Sequence, residues 1–175
     1  MRELVNPSEA YLNSYIAACR ETWGHTFSDY ILHDPARVDA WRGSIFEDYA
    51  KAERGENLRP GFVPSRTFWF VEGPTTYLGT VNIRLQMNPS IHDGAGTAGF
   101  ILRLSVRGRG LGSEIAQAAI EKARTLVTGP IVLNTENAVK ILDRLHAHGV
   151  CPYRTRARRL CCIDGRPREL VQFTY

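Results

Sequence analysis

Arg107, Gly108, Arg109, Gly110, Leu111, Gly112 and Ser113 combine what an anion site needs: a backbone free to turn its amides toward one point, and fixed positive charge. Glycines at alternate positions carry no Cβ, so successive N–H groups can form a concave anion cradle. From Leu111 the apolar positions Leu111, Ile115, Ala118, Ala119 and Leu126 follow a helical period. The loop therefore precedes a helix, whose dipole presents its positive end to a ligand. Arg107 and Arg109 suit more than one phosphate group. Spacing narrows the choice. A dinucleotide fingerprint needs a third glycine at position 113, which is Ser113, and a P-loop needs a Gly-Lys pair, which the chain lacks. What stands is R-x-x-G-x-G, with Arg107, Gly110 and Gly112 as its fixed positions.

The elements that must position this loop belong to a chain of 175 residues, 43% hydrophobic and 23% charged, which fits one domain over 1–175 with an adequate core. Cys19, Cys151, Cys161 and Cys162 have neither C-x-x-C spacing nor the density of a secreted scaffold, so reduced thiols and no metal are expected. The N-terminus lacks an apolar signal stretch, and no run reaches about 18 apolar residues. A cytoplasmic protein that does not enter a membrane is expected. The net charge of +4 is mild, and Arg154, Arg156, Arg158, Arg159, Arg166 and Arg168 carry much of the excess. A solvated basic face, or attraction of a polyanionic cofactor, accounts for them without nucleic acid.

In chain order, residues 2–5 predict a strand. Asn6-Pro7-Ser8-Glu9 then predicts a helix start with Asn6 as N-cap, and Leu12, Tyr15, Ile16, Cys19 and Trp23 form its apolar face. Asp34-Pro35 announces a second helix striped by Val38, Trp41, Ile45, Tyr49 and Ala52, and Gly55 to Pro64 is a loop. Thr67 to Glu72 and Tyr77 to Leu85 read as a hairpin about Gly73-Pro74-Thr75. A third strand, Gly99 to Val106, leads into the glycine loop and its helix. Ile131 to Asn134 is a strand, Glu136 to His148 a helix, and Arg158 to Ile163 with Glu169 to Phe173 a last hairpin around Asp164-Gly165.

R-x-x-G-x-G between a strand and a helix, in this order of elements, resembles the pyrophosphate loop of the GNAT-type N-acetyltransferases. Phe68-Trp-Phe, Gly79-Thr-Val-Asn-Ile-Arg and Gly99-Phe look like a bacterial subgroup known as predicted acetyltransferases. The resemblance implies an α/β (α+β) fold: a single, mixed but mostly antiparallel sheet of about seven strands flanked by four helices. It also implies direct transfer of acetyl from acetyl-CoA, the co-substrate, to a primary amine of a small molecule or peptide. In such enzymes a bulge in the strand before the loop opens a gap that pantetheine fills. By position, the main chain of Leu102 and Leu104 would meet pantetheine. The amides of Arg107, Gly108, Arg109, Gly110, Leu111, Gly112 and Ser113 would hold the pyrophosphate, and an N–H near Leu102 would stabilise the oxyanion.

Asn137 matches the family's cofactor-contacting Asn, with Asn134 as its rival. The usual proton-donating Tyr has no counterpart here; Arg144 and Leu145 stand near its place, leaving His148 and Tyr153 as candidate acids. Glu72 and Asp93 are acids near the strands, and neither is assigned as base. Trp23, Tyr30, Trp41 and Trp69 are candidates to line the acceptor site. The alternative is a non-catalytic acyl-CoA-binding sensor or regulatory protein of the same fold. The apolar last strand, Glu169 to Tyr175, is suited to pairing across a homodimer.

Overall fold

The computed structural model describes residues 1–24, 32–38, 43–89, 91–135, 157–163 and 166–174. Strand β1 (Arg2–Val5) leads to helix α1 (Glu9–Thr22), whose N-cap is Ser8 in an extended conformation and not the expected Asn6. Asn6 is drawn outward instead, accepting a bond from Arg66 Nη2 at 3.3 Å. Of the second predicted helix, the described residues form α2 (Pro35–Val38) and, after a turn at Gly43 and Ser44, α3 (Ile45–Arg54). Asp34 Oδ1 caps the first piece by accepting the Ala36 N–H at 2.9 Å. Gly43, a poor helix former, precedes the second.

Strands β2 (Ser65–Glu72) and β3 (Thr76–Arg84) form the expected hairpin, and β4 (Ala98–Leu102) adds to β3. The antiparallel order is β1-β2-β3-β4. Helix α4 (Leu111–Arg124) begins where the apolar period predicts. Strand β5 (Val132–Thr135) pairs not with β4 but with β7 (Arg166–Thr174), which also pairs with β6 (Ala157–Ile163), in the order β5-β7-β6. The expected single sheet is thus corrected, and the helix expected from Glu136 to His148 lies outside the described residues. The described residues form a four-stranded and a three-stranded antiparallel sheet, with three helices longer than one turn.

Each face of the first sheet has its own core. On one, Phe68, Phe70, Val81 and Ile83 pack against Leu111, Ile115, Ala119, Ile120 and Ala123 of α4. On the other, Trp69, Val71, Tyr77 and Ile101 pack against Leu12, Tyr15, Ile16 and Cys19 of α1 and Ile45 of α3. Burial of each large side chain stabilises the layers by about 1.5–3 kcal/mol.

The separation of the sheets has a local cause. Gly96, with φ +70, brings the chain so close to β5 that a Cβ there would lie 2.5 Å from the Val132 carbonyl oxygen. At the next residue the Thr97 N–H donates to that carbonyl at 2.7 Å, while the Val132 N–H donates to the Thr97 hydroxyl at 2.9 Å. A side chain thus takes the bond that a backbone carbonyl would need to carry the ladder onward. The register of β4 on β3 is unbroken, so the bulge expected in β4 is absent; a register shift occurs between Phe70 and Val71. Thr97→Val keeps the shape but leaves the Val132 amide buried without its acceptor. It should cost about 1–3 kcal/mol, read as a lower urea midpoint at unchanged m-value.

Candidate active site

Strand β4 has one paired and one open edge. The Arg84 N–H donates to the Thr97 carbonyl at 2.8 Å and the Arg103 N–H to the Leu78 carbonyl at 2.9 Å. Antiparallel alternation therefore turns the main-chain groups of Gly99 and Ile101 toward β3, and those of Ala98, Phe100 and Leu102 away from it. No described strand pairs with that outer edge. The Leu102 carbonyl accepts the Arg107 Nε–H at 3.0 Å, so the Leu102 N–H is the last outward donor of the strand.

The predicted strand to Val106 ends early because its continuation is captured by α1. Residues Leu104–Val106 form a 3-10 turn. Glu21, in the last turn of α1, accepts Arg103 Nε and Nη2 at 2.9 Å each, the Ser105 N–H at 3.1 Å and the Ser105 hydroxyl at 2.9 Å. Arg103 Nη1 also reaches Ser14 Oγ and the Tyr77 carbonyl, both at 3.3 Å. The Leu104 N–H donates to Thr22 Oγ1 at 3.2 Å, and the Leu104 carbonyl accepts from the Arg107 N–H at 3.2 Å. Leu104 thus has both main-chain groups engaged, unlike the strand residue expected to meet pantetheine. The Leu102 N–H, by contrast, faces away from β3.

Gly108 and Gly110 take the left-handed conformation, with φ of +78 and +85, and Gly110 is the N-cap of α4 without any side-chain cap. The first N–H groups of α4, on Leu111, Gly112 and Ser113, have no intrahelical partner. A Cβ on Gly108 would meet nothing within 4 Å, so the loop faces open space. Amide donors and the helix dipole, with the exposed Arg109 next in the chain, are groups that could hold a phosphate. Arg107 contributes differently from expectation. Its guanidinium is folded back on the Leu102 carbonyl and partly desolvated, which lowers its pKa.

Two other acids are set in place by partners. Glu72 is ion-paired with Arg2 at 2.9 Å, and Arg2 also holds Glu114 of α4 at 2.7 Å. Asn134 Nδ2 donates to the carbonyls of His92 and Gly94 at 3.1 and 3.0 Å, a bracing role for the turn Ile91–Ala95. Asn137, His148, Tyr153, Tyr30 and Trp41 lie outside the described residues.

Trp69 is fully buried and stacked on Tyr15 at 4.6 Å, so it belongs to the core. Trp23 packs on the same cluster from the end of α1. The Tyr15 oxygen accepts bonds from the Tyr49 hydroxyl at 3.0 Å and the His33 N–H at 3.2 Å. Its own proton is thereby directed to His33 Nδ1 at 2.7 Å, and Nε2 faces Asp48 Oδ2 at 3.7 Å. Burial lowers the His33 pKa against the opposing pull of Asp48. Burial pushes the Cys19 thiol up to about 11, so this sulfur is no nucleophile near neutral pH. Among the described residues no cluster of side chains forms a metal site.

This arrangement, an open strand edge running into a glycine loop at a helix N-terminus, coincides with a sequence match. Residues 12–149 match the Acetyltransferase (GNAT) family. The chain belongs to that family. No curated protein matches it in sequence. Among solved structures, a chimera of the spermidine N-acetyltransferase SpeG from Vibrio cholerae and hSSAT superposes with a TM-score of 0.55. It is 15% identical, over 99% of this chain and 93% of the other. The microcin C7 self-immunity acetyltransferase MccE, in complex with acetyl-CoA and AMP, gives 0.61 at 12% identity, over 99% and 91%. The ribosomal-protein-S5-alanine acetyltransferase from Vibrio fischeri gives 0.59 at 15% identity, over 99% and 91%. At these identities the likeness is one of fold.

The acid that organises this GNAT site is Glu21, which its partners hold well below the usual carboxylate range, down to about 2 from 4.5, chiefly through Arg103. A depressed carboxylate contributes stability above its unfolded pKa. This share is present above pH 4.5 and is lost as pH falls from 4.5 toward 2. Glu21→Gln should destabilise the protein by about 2 kcal/mol at pH 7 and by little near pH 2, measured by denaturant unfolding at both pH values.

Proposed function

We propose that this GNAT protein is an acetyl-CoA-dependent N-acetyltransferase that moves the acetyl group directly to a primary amine. The observation that carries the reading is the outward Leu102 N–H at the end of an unpaired strand edge, immediately before the glycine loop. Phe100 and Leu102 offer their outward main-chain groups to the amides of pantetheine, as an edge strand accepts an added strand. Gly108, Arg109, Gly110, Leu111, Gly112 and Ser113 surround the pyrophosphate, and Arg107 braces the turn through Leu102. The complex of MccE with acetyl-CoA supports this choice of co-substrate.

Proximity and charge stabilisation supply the chemistry. With the thioester carbonyl beside Leu102, an amine lone pair attacks the carbonyl carbon and a C–N bond forms. The Leu102 N–H donates to the oxyanion. Collapse breaks the C–S bond, the electron pair leaves on sulfur, the thiolate takes a proton from a side-chain acid, and the proton lost by the amine nitrogen restores that acid. His148 and Tyr153 are the proposed acids, and Asn137 the proposed further contact to the co-substrate. The inert thiol of Cys19 supports transfer without an acyl-enzyme. Holding both reactants in place accounts for much of the rate in such a site.

The experiment is calorimetric titration with acetyl-CoA of the wild type and of Gly112→Glu. Gly112 lies inside α4 without a positive φ, so the substitution adds charge and bulk without backbone strain. Micromolar binding by the wild type, weakened at least about 100-fold in the variant, is expected from a charge placed against a phosphate. Absence of binding by folded wild-type protein would contradict the reading.

A further inference from the structure

Arg84 is a charged side chain that acetyl transfer from coenzyme A leaves without a task. It ends β3 in the alternation Thr80, Asn82, Arg84, on the sheet face that α1 and α3 cover. Its guanidinium lies over Gly99 of β4: a methyl group at Gly99 would sit 3.0 Å from Nη1 and 3.3 Å from Nη2. Nη1 donates to the Ala95 carbonyl at 3.2 Å. That is one acceptor for five N–H donors, and no carboxylate among the described residues pairs with the group. Burial draws its pKa down to about 10, so it remains charged at neutral pH. Arg103, only a strand's length away, shows what a satisfied guanidinium looks like here, with both oxygens of Glu21 at 2.9 Å.

The neighbouring polar groups do not compete for Arg84. Asn82 Nδ2 spends its protons on Ser65 Oγ and Thr67 Oγ1, both at 3.1 Å. The cross-strand row Thr67, Asn82, Gly99 lies beside the row Trp69, Thr80, Ile101. Because Gly99 has no side chain, the guanidinium can rest on β4 itself, three residues before Leu102. At the rise of a strand that is about 10 Å.

We infer that Arg84 is the anion-recognition point of the acceptor site, so that the amine acetylated by this protein carries a carboxylate on the same molecule. The inference rests on the acetyl-transfer reading above. A guanidinium fork matches a carboxylate in a bidentate pair. A single negative charge also balances it, whereas a phosphate dianion would leave excess negative charge beside a half-buried group. The separation along β4 places several carbons between amine and carboxylate, so an ω-amino acid or a lysine-like end fits and an α-amine does not. A polycationic amine would meet only repulsion at Arg84.

The test titrates the protein, saturated with coenzyme A, with aminohexanoate and with hexylamine by calorimetry, and measures turnover of both amines with acetyl-CoA. Wild type, Arg84→Gln, Arg84→Lys and Gly99→Ala are compared. The wild type should favour aminohexanoate about 100-fold in binding and in kcat/KM, and Arg84→Gln should bring that ratio close to one. Gly99→Ala pushes the guanidinium aside without removing it and should lower the ratio about tenfold. Arg84→Lys, which keeps the charge but not the fork, should retain part of it and serves if the Gln variant does not fold. Equal binding of the two amines, no binding of aminohexanoate to folded wild type, or an undiminished ratio in the variants would overturn the inference. Arg84-dependent binding of aminohexanoate without turnover of either amine would instead overturn the acetyl-transfer reading alone.

Discussion

Everything proposed for this chain depends on a hydrogen bond that goes to a side chain. Where β4 and β5 meet, the Val132 amide donates to the Thr97 hydroxyl. The strands touch at Gly96 and Thr97 and then belong to different sheets. A continuous ladder would have buried the outer edge of β4 in backbone pairing. Interrupted here, it leaves Phe100 and Leu102 with outward main-chain groups. An unpaired edge is ordinarily a liability in a folded protein. In this one it ends at a glycine loop and a helix N-terminus, the place proposed for an extended, phosphate-bearing ligand.

That edge is useful only if it is held still, and both faces of the sheet contribute. Helix α4 is fastened from beneath by Ile115 and Ile120, both fully buried, which fixes the direction of its first turn. Helix α1 grips the end of β4 from the other face, where Glu21 binds Arg103 and Ser105 and Thr22 binds Leu104. A carboxylate in the last turn of a helix opposes the dipole. Its retention there is intelligible once Arg103 and Ser105 are seen to compensate it. The loop geometry thus follows from contacts made by residues some 80 positions earlier in the chain.

The sequence was most legible where local chemistry decides the outcome. The apolar period beginning at Leu111, with two glycines before it, gave the start of α4 correctly, because left-handed backbone and helix initiation are short-range matters. The hairpin about residues 73–75 and the family of the glycine loop are readable for the same reason. Illegible were the long-range captures. Nothing near Leu104 reveals that Thr22 takes its amide, so the apolar run from Gly99 to Val106 reads as one strand. The split into two sheets depends on one hydroxyl at Thr97. In β3 nothing in the alternation Thr80, Asn82 and Arg84 announces that it shares a face with Trp69 and Ile101, or that the Arg84 guanidinium lies over Gly99.

The measurement that reaches the central claim most directly is amide hydrogen exchange with and without acetyl-CoA, resolved at single residues along β4 and the loop. Phe100, Leu102 and the amides from Gly108 to Ser113 should gain protection when the ligand is bound. Gly99 and Ile101, already bonded to β3, should change little. Protection that falls equally on all four strand residues, or that spares Leu102 while acetyl-CoA is bound, would contradict the account.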